Sequence, residues 1–165
     1  MKYLNYIVLF FLCATSLAGR TIYLDLSKKD LRQEDLKGKN FEYAQLADAN
    51  LEGVKMYEAG QATRTNMSNT QLVRANLKNT DLSQARFFRS NLAFTDLTGA
   101  NLDSTNIVGA NLRNANVSGA TFKNVAISYV EKTKTYTYIK TLEDLKKLGA
   151  IWDKNNPPKI LTTKP

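Results

Sequence analysis

Few side chains in this 165-residue chain could support catalysis. The sequence contains no His, and its single cysteine, Cys13, lies in an amino-terminal segment that we expect to be removed. A chain with neither imidazole nor thiol cannot build a thiolate zinc site, a Cys/His nucleophile pair or a Ser/His/Asp triad. We therefore predict that the protein is not an enzyme and that it holds no cofactor and no metal ion.

Basic and aromatic residues offer binding chemistry instead. The formal charge is +8 and the isoelectric point is about 9.5. Aromatic side chains next to Arg are typical of interface hot spots. The candidate interaction surface consists of Arg74, Arg86, Phe88, Arg89, Phe94 and Arg113. The alternative is that these residues reflect only the ordinary variation of an exposed surface, so the elements that position them decide whether they lie together.

Residues 1–18 have the pattern of a signal peptide. Lys2 precedes an apolar run over 6–14, and the small residues Ser16 and Ala18 match a signal-peptidase site. We predict cleavage after Ala18 and export, either to a periplasm or to the outside of a bacterial cell. The apolar run is too short to span a bilayer comfortably, so we expect no membrane span after cleavage. The alternative is that the segment is retained as an uncleaved membrane anchor.

A period of five organises most of the remaining chain. From Met67 to Ile127 every fifth residue is apolar, which gives thirteen centres, and a small residue or Val lies two positions before each centre. Asn or Asp usually stands between the two. A period of five fits neither a helix nor a strand. Seven earlier centres follow the same spacing: Leu26, Leu31, Leu36, Phe41, Leu46, Leu51 and Met56.

Residues 92–116 read LAFTD LTGAN LDSTN IVGAN LRNAN. These motifs resemble the pentapeptide-repeat family, whose consensus is A(D/N)LXX, strongly over 41–127 and weakly over 26–39. The resemblance implies an all-β fold, the right-handed quadrilateral parallel β-helix, with four pentads in each coil. It also implies that each centre and the small residue two before it point inward, while the other residues point outward. Twenty centres would make about five coils.

We assign residues 19–127 to this β-helix and residues 21–40 within it to a degenerate capping coil. That coil lacks the small residues, and long side chains at an uncovered end can reach water. An amphipathic helix over 27–37 is the competing interpretation.

The spacing changes once, because Met56 and Met67 are eleven residues apart rather than ten. This spacing predicts one extra residue in the stretch around Gly60, whose backbone freedom suits a bulge at a corner. A binding loop is the alternative.

Residues 128–165 differ in composition and are assigned to a C-terminal cap. Residues 129–139 alternate like a strand, with Tyr136 and Tyr138 on one side. A capping-box-like motif begins a helix over about 142–153, and a loose tail follows. We expect the strand and the helix to cover the last coil, whose open end would otherwise expose apolar side chains and unpaired backbone groups.

Four pentads per coil would stack residues twenty apart on one face. One face then carries Arg86, Phe88 and Arg89, and the next carries Arg74, Phe94 and Arg113, which together form one basic edge with two outward Phe residues. The other two faces hold most of the acids of the repeat region, mixed with Lys: Asp81, Asp96, Asp103, Lys78 and Lys123. Asp81 and Asp103 should stack near each other, but without a cleft or metal ligands they indicate a solvated face.

The leading functional hypothesis is a non-enzymatic exported β-solenoid that serves as a protein-binding or structural module. The expected partner is an unidentified protein or an anionic component of the cell envelope, and self-association into a homodimer is a further prediction. A carbohydrate- or envelope-binding module is the alternative. DNA mimicry of the kind that protects gyrase suits the chain less well, because a mimic of DNA needs a strongly acidic surface. Removal of the signal peptide with Lys2 leaves this chain with a charge of about +7. Export also leads us to expect no nucleic-acid partner.

Overall fold

The computed structural model describes residues 24–57 and 64–161 in full, preceded by two short strands described by their backbone alone. These strands, Thr15–Leu17 (β1) and Arg20–Ile22 (β2), pair antiparallel. The apolar run and the cleavage position of the predicted signal peptide lie outside the described residues. Gly60 and the last four residues also lie outside them.

Each five-residue repeat folds as a tight turn. The amide of the third residue after a centre donates a hydrogen bond to the carbonyl of that centre, as from Ala44 to Phe41 at 2.9 Å. In nearly every described repeat the second residue after the centre has a positive φ, for example +57° at Asn69 and +70° at Gly109, whereas Gln33 does not. This hydrogen bond, with a left-handed residue at the third position of the turn, is the pattern of a type II turn. The chain therefore bends once per pentad.

Successive turns stack into four parallel ladders of bridges. One ladder joins Asp25, Gln45, Gln71, Asn91 and Asn111. The other three run through Asp30, Asn50, Asn76, Asp96 and Asn116, through Lys55, Asp81, Asn101 and Thr121, and through Asn40, Asn66, Arg86, Asn106 and Ala126. Within the repeats from Asn66 to Ala126 the bridged residues are 20 positions apart. The predicted coil of four pentads is therefore confirmed for this part of the chain.

Two residues from each described pentad after the first coil fill the interior. Nineteen of the twenty centres are buried, and Ile127, the last centre, is half-buried. The small residues two positions earlier are also buried, including several Thr. Their hydroxyls donate to carbonyls of neighbouring turns, as from Thr80 to Leu51 and from Thr105 to Leu82, both at 3.0 Å. These buried hydroxyls therefore have the partners that an apolar interior demands.

The Asn and Asp residues before the centres close the corners. Their Oδ1 atoms accept the backbone N–H two residues later, for example from Ser68 to Asn66 and from Thr98 to Asp96, both at 3.0 Å. Such Asx turns explain why a short side chain with an acceptor oxygen recurs at this position.

The predicted single extra residue before Met67 is wrong, because the structure places six extra residues there. Asn40 is bridged to Asn66, and these partners are 26 positions apart instead of 20. Thr65 Oγ1 donates to the carbonyl of Met56 at 2.6 Å, as Thr70 does to Met67. Met56 and Met67 are therefore consecutive centres, and the insertion lies between two adjacent sides of the stack.

The first described coil contains no helix over 27–37, so the competing interpretation is wrong. Leu26 N–H donates to Gln45 and Leu31 N–H to Asn50, both at 2.8 Å, and both Leu side chains are buried. Where later coils have a small inward residue, Lys29 is exposed. A long side chain is tolerated there because, among the described residues, no coil stacks on its outer side.

Four strands and one helix complete the carboxyl-terminal part. Thr121–Lys123 (β3) pairs in parallel with Lys159–Leu161 (β6), and Ala126–Val130 (β4) pairs antiparallel with Thr135–Tyr138 (β5). The helix α1 spans Leu142–Lys147. Ile139, Leu145 and Ala150 are buried in the same core cluster as the repeat centres, so these segments cover the end of the stack. No helix in the described part of the chain has the length and hydropathy of a membrane span.

The helix is shorter than the predicted range of about 142–153, although its predicted capping box is present at Thr141 and Asp144. Gly149 ends it, with a φ of +80° and an N–H that donates to Lys146 at 2.8 Å. Ile151 then bridges Asn116 and extends one of the ladders. The tail is also not entirely loose, because Lys159 N–H donates to Ala120 at 2.7 Å at the start of β6.

The stacked centres predict a specific sensitivity to cavities. Leu77 is fully buried between the neighbouring coils, so Leu77→Ala should lower the free energy of unfolding by about 2–5 kcal/mol. Urea denaturation followed by circular dichroism would measure this change. Lys78→Ala, which alters a half-buried side chain on the same turn, is the control and should change stability by about 1 kcal/mol or less. Equal losses in both variants would contradict the assigned interior.

Candidate functional site

The candidate surface begins at the apices of the turns. Arg74, Arg89 and Phe94 all occupy the left-handed position, with φ values of +59°, +56° and +60°. Gly and Asn adopt this conformation at little cost, whereas a bulky side chain there is strained. Phe94 is also 54% exposed, so burial in the monomer does not compensate for its backbone conformation. Unusual backbone angles of this kind occur at functional sites. Tyr43 is also an exposed aromatic residue with a positive φ, but Phe94 is the more exposed of the two and belongs to the candidate surface, which makes it the leading candidate.

Phe88 and Arg89 form a local pair on the adjacent side. Phe88 is only half-buried, and the guanidinium carbon of Arg89 lies 4.9 Å from the centroid of its ring. A cation over an aromatic face is attracted by the ring quadrupole. Of the two Phe residues predicted to point outward, Phe94 is the more exposed, while Phe88 presents a ring shared with Arg89.

Arg74 is less available for binding a partner than the sequence indicated. Its Nε lies 2.7 Å from Asp48 Oδ1 and its Nη2 lies 3.2 Å from Asp48 Oδ2. The Arg74 guanidinium lowers the pKa of the Asp48 carboxyl, and the carboxylate raises the pKa of Arg74. The charge of Arg74 is therefore largely compensated within the protein.

Arg113 lies on the rung next to Phe94. The N–H of Phe94 donates to the carbonyl of Arg113 at 2.9 Å, and the Arg113 side chain is exposed. Between the Phe94 and Arg89 apices, Val73 is half-buried and Ala93 is buried. Arg89 and Phe94 thus flank a side whose ladder, Gln71–Asn91–Asn111, consists of amide side chains hydrogen-bonded to one another at 3.1 Å. We call Phe88, Arg89, Phe94 and Arg113 the aromatic edge.

Arg86 belongs to a different environment. It is the third member of the ladder Asn40–Asn66–Arg86–Asn106, and it lines a groove of about 600 Å³. Arg64 and Tyr136 line the same groove, although the sequence did not single them out. One signal was present in the sequence: Arg86 interrupts a row of Asn residues that is otherwise regular on this side.

The acids of the other sides have partners of their own. Lys78 Nζ lies 3.2 Å from Asp96 Oδ2, and Lys123 Nζ lies 3.8 Å from Asp103 Oδ2, as the predicted mixing of charges implies. Asp81 accepts hydrogen bonds from Ser83 and Asn101. Asp81 and Asp103 therefore belong to separate contacts. Within residues 24–57 and 64–161, no group of acidic, His or Cys side chains comes together that could hold a metal ion.

The five-residue repeats of this chain match a known family model. The family model described as pentapeptide repeats matches residues 61–87 and 85–124, with eight copies. No protein of curated function matches the chain significantly.

Solved structures of pentapeptide repeat proteins are similar to the chain. A crystal structure of such a protein from the Arabidopsis thaliana thylakoid lumen is 27% identical, with 67% of this chain and 71% of that chain covered, at a TM-score of 0.51. One from Nostoc Pcc 7120 is 20% identical, with coverages of 79% and 86% and a TM-score of 0.40. One from the cyanobacterium Cyanothece 51142 is 25% identical, with coverages of 84% and 86% and a TM-score of 0.30.

The exposed, left-handed Phe94 predicts a gain in stability on substitution. Phe94→Asn should raise the free energy of unfolding by about 0.5–1 kcal/mol, because Asn tolerates a positive φ better than Phe. Gln84→Asn is the matched control, since Gln84 has a φ of +59° at another corner and carries no ring. Urea denaturation of both variants measures the effect. A loss of stability in Phe94→Asn alone would mean that the ring packs usefully in the monomer and is not strained.

Proposed function

Residues 61–124 are pentapeptide repeats, and from this premise we propose that the protein is a non-enzymatic, exported β-solenoid that binds another macromolecule through its aromatic edge. The fold proposed is the right-handed quadrilateral parallel β-helix of about five coils. The four parallel ladders and the similarity to the Arabidopsis thaliana protein support this fold. The likeness to pentapeptide-repeat solenoids and the absence of His also support a role without catalysis.

One observation carries the proposal: Phe94 is both exposed and held in a left-handed conformation. The cost of this arrangement is not recovered by packing within the described chain. A partner that covers the ring would recover it, because burial of an aromatic side chain at an interface is strongly favourable. The rigid ladders below would hold the ring in place, so little ordering entropy would be lost on binding.

Charge on the edge favours a protein partner with an acidic patch. Arg89 and Arg113 are exposed on the two sides that meet there, whereas Arg74 is paired with Asp48. The formal charge of +8 adds long-range attraction toward anionic partners. The same charge disfavours a role as a DNA mimic, which needs an acidic surface.

Export rests on the pattern of residues 1–18. The Arabidopsis thaliana protein comes from the thylakoid lumen, a compartment that proteins reach by crossing a membrane. With a single Cys the chain forms no internal disulfide, so the exported protein would be held together by packing and hydrogen bonds.

Export predicts a defined amino terminus. Protein recovered from producing cells should begin at Gly19 and lie outside the cytoplasm, as shown by intact-mass spectrometry of cell fractions. Ala18→Gln should block cleavage, because signal peptidase needs a small residue at that position, whereas Thr21→Gln should not. A full-length chain in the membrane fraction would favour the uncleaved anchor, and a full-length chain in the cytoplasm would contradict export.

Partner binding through the edge predicts a specific loss. The double variant Phe94→Asn/Arg89→Asn should reduce capture of the partner by about tenfold or more, because both edge side chains are removed while Asn keeps the left-handed backbone. Pull-down from the native envelope at low and high salt, with quantitative mass spectrometry, measures this. Gln84→Asn/Ser104→Asn makes equivalent changes at another corner and is the control.

The captured partner should also dissociate at high salt, because exposed Arg side chains contribute screened attraction. Equal capture by the edge variant and the control would contradict the proposal. Capture of a second copy of the same chain would show that the partner is this protein itself. Light scattering would then confirm a homodimer.

A further inference from the structure

A groove follows the ladder Asn40–Asn66–Arg86–Asn106 along one side of the solenoid. Its volume is about 600 Å³, which lies within the range of about 300–1,000 Å³ that is typical of small-ligand sites. A neighbouring hollow of about 260 Å³ shares Arg64, Asn106 and Tyr136 with it and reaches Tyr138. The two together form a continuous binding surface beneath the β4–β5 hairpin.

The groove is cationic. Lys39, Arg64 and Arg86 line it, and none of the described residues that line either hollow is acidic. Within residues 24–57 and 64–161, neither Arg64 nor Arg86 forms an ion pair, whereas Arg74 is paired with Asp48. Arg forks bind carboxylates and phosphates in a bidentate manner. The groove therefore favours a ligand with an anionic group.

Arg86 is locally costly, which is a second and independent observation. On the rungs below and above, Asn66 and Asn106 accept the N–H of Ser68 and Val108, each at 3.0 Å. Arg86 has no acceptor oxygen, so the equivalent turn loses its Asx hydrogen bond. A residue that breaks a local rule in an otherwise regular repeat is expected where function requires it.

Tyrosine rings add a flat apolar surface to the groove. Tyr136 and Tyr138 are about half exposed, and the centroid of the Tyr136 ring lies 4.8 Å from that of Tyr129 and 6.4 Å from that of Tyr138. The rings are tilted by 44° and 43°, so they do not form parallel platforms for successive nucleobases. One pyranose ring can instead lie against Tyr136, as sugars do on aromatic side chains.

The ladder spacing also favours a sugar chain. Rungs follow each other at about 4.8 Å, which is close to the length that one pyranose unit adds to an extended glycan. Asn106 uses its Oδ1 in an Asx turn, which leaves its NH₂ group to donate to a hydroxyl.

We propose that this groove binds an acidic oligosaccharide. A sugar carboxylate contacts Arg86 and Arg64, a pyranose ring lies on Tyr136, and hydroxyl groups accept from the amide of Asn106. This site differs from the aromatic edge, since it uses none of Phe88, Arg89, Phe94 or Arg113. Failure of one proposal therefore leaves the other unaffected.

Titration calorimetry of the full chain with trigalacturonate, cellotriose and a short oligothymidylate tests the assignment. The acidic trisaccharide should bind at least about tenfold more tightly than the neutral one, because only it offers carboxylates to the two Arg residues. Arg86→Asn should weaken this binding by about tenfold or more. The same substitution restores an Asx turn, so it should not lower thermal stability.

Controls separate this site from general positive charge. Tyr136→Ser should also weaken binding, whereas Arg113→Asn, which removes an exposed Arg outside the groove, should not. Inorganic phosphate should not compete at equal concentration, because a small anion gains nothing from Tyr136. The proposal is overturned if trigalacturonate does not bind at millimolar concentration, if Arg86→Asn and Arg113→Asn behave alike, or if the oligonucleotide binds more tightly than the trisaccharide.

Discussion

The left-handed residue at the apex of nearly every described turn is the constraint on which the rest of the structure depends. It bends the chain once per pentad and thereby sets the alternation of inward and outward side chains. The centre and the small residue before it turn inward, and the intervening residue enters a ladder. The apex itself points into solvent. Gly and Asn relieve the strain at many apices, including Gly99, Gly109 and Asn114. Other apices carry residues less suited to this conformation, among them Tyr43, Arg74, Gln84, Arg89 and Phe94. Of these, Arg89 and Phe94 belong to the aromatic edge.

The interior could be predicted from the sequence because few residue types fit a narrow core. Each centre is Leu, Ile, Met, Phe or Val, and from Ala44 onward the residue two positions earlier is Ala, Ser, Thr or Val, as that geometry requires. The insertion before Met67 was misjudged because a spacing of eleven fits ten plus one as well as five plus six. Gln61, a polar residue, stands where an intermediate centre would lie, and twenty centres fill coils of four pentads without it. The end of α1 was misjudged because helical spacing continues past Gly149, which stops the helix through its own backbone.

Prediction of the candidate site depended on the register between coils more than prediction of the interior did. A single extra residue would have stacked Asp48 against Asn69, whereas the observed offset of 26 places it on Arg74. That ion pair removes Arg74 from the set of available cations. Arg64 and Tyr136 escaped notice for the same reason, since one lies beside the insertion and the other in the cap. Long-range placement of this kind is not encoded in a local repeat.

The two proposed binding surfaces use the same scaffold in different ways. The aromatic edge depends on strained apices that project from the corners, and the groove depends on a ladder position where Arg86 replaces Asn. The structure tolerates both departures from the repeat because nineteen buried centres and their ladders hold the remaining turns in register.

Site-specific photocrosslinking in producing cells tests the central claim most directly. A benzophenone amino acid in place of Phe94 keeps an aromatic ring at the exposed apex, and the same probe in place of Gln84 reports on another corner. The account predicts that the probe at position 94 forms a discrete adduct with a second macromolecule, while the probe at position 84 does not. Equal labelling at both positions, or no adduct at either, would contradict the claim that the aromatic edge is the binding surface.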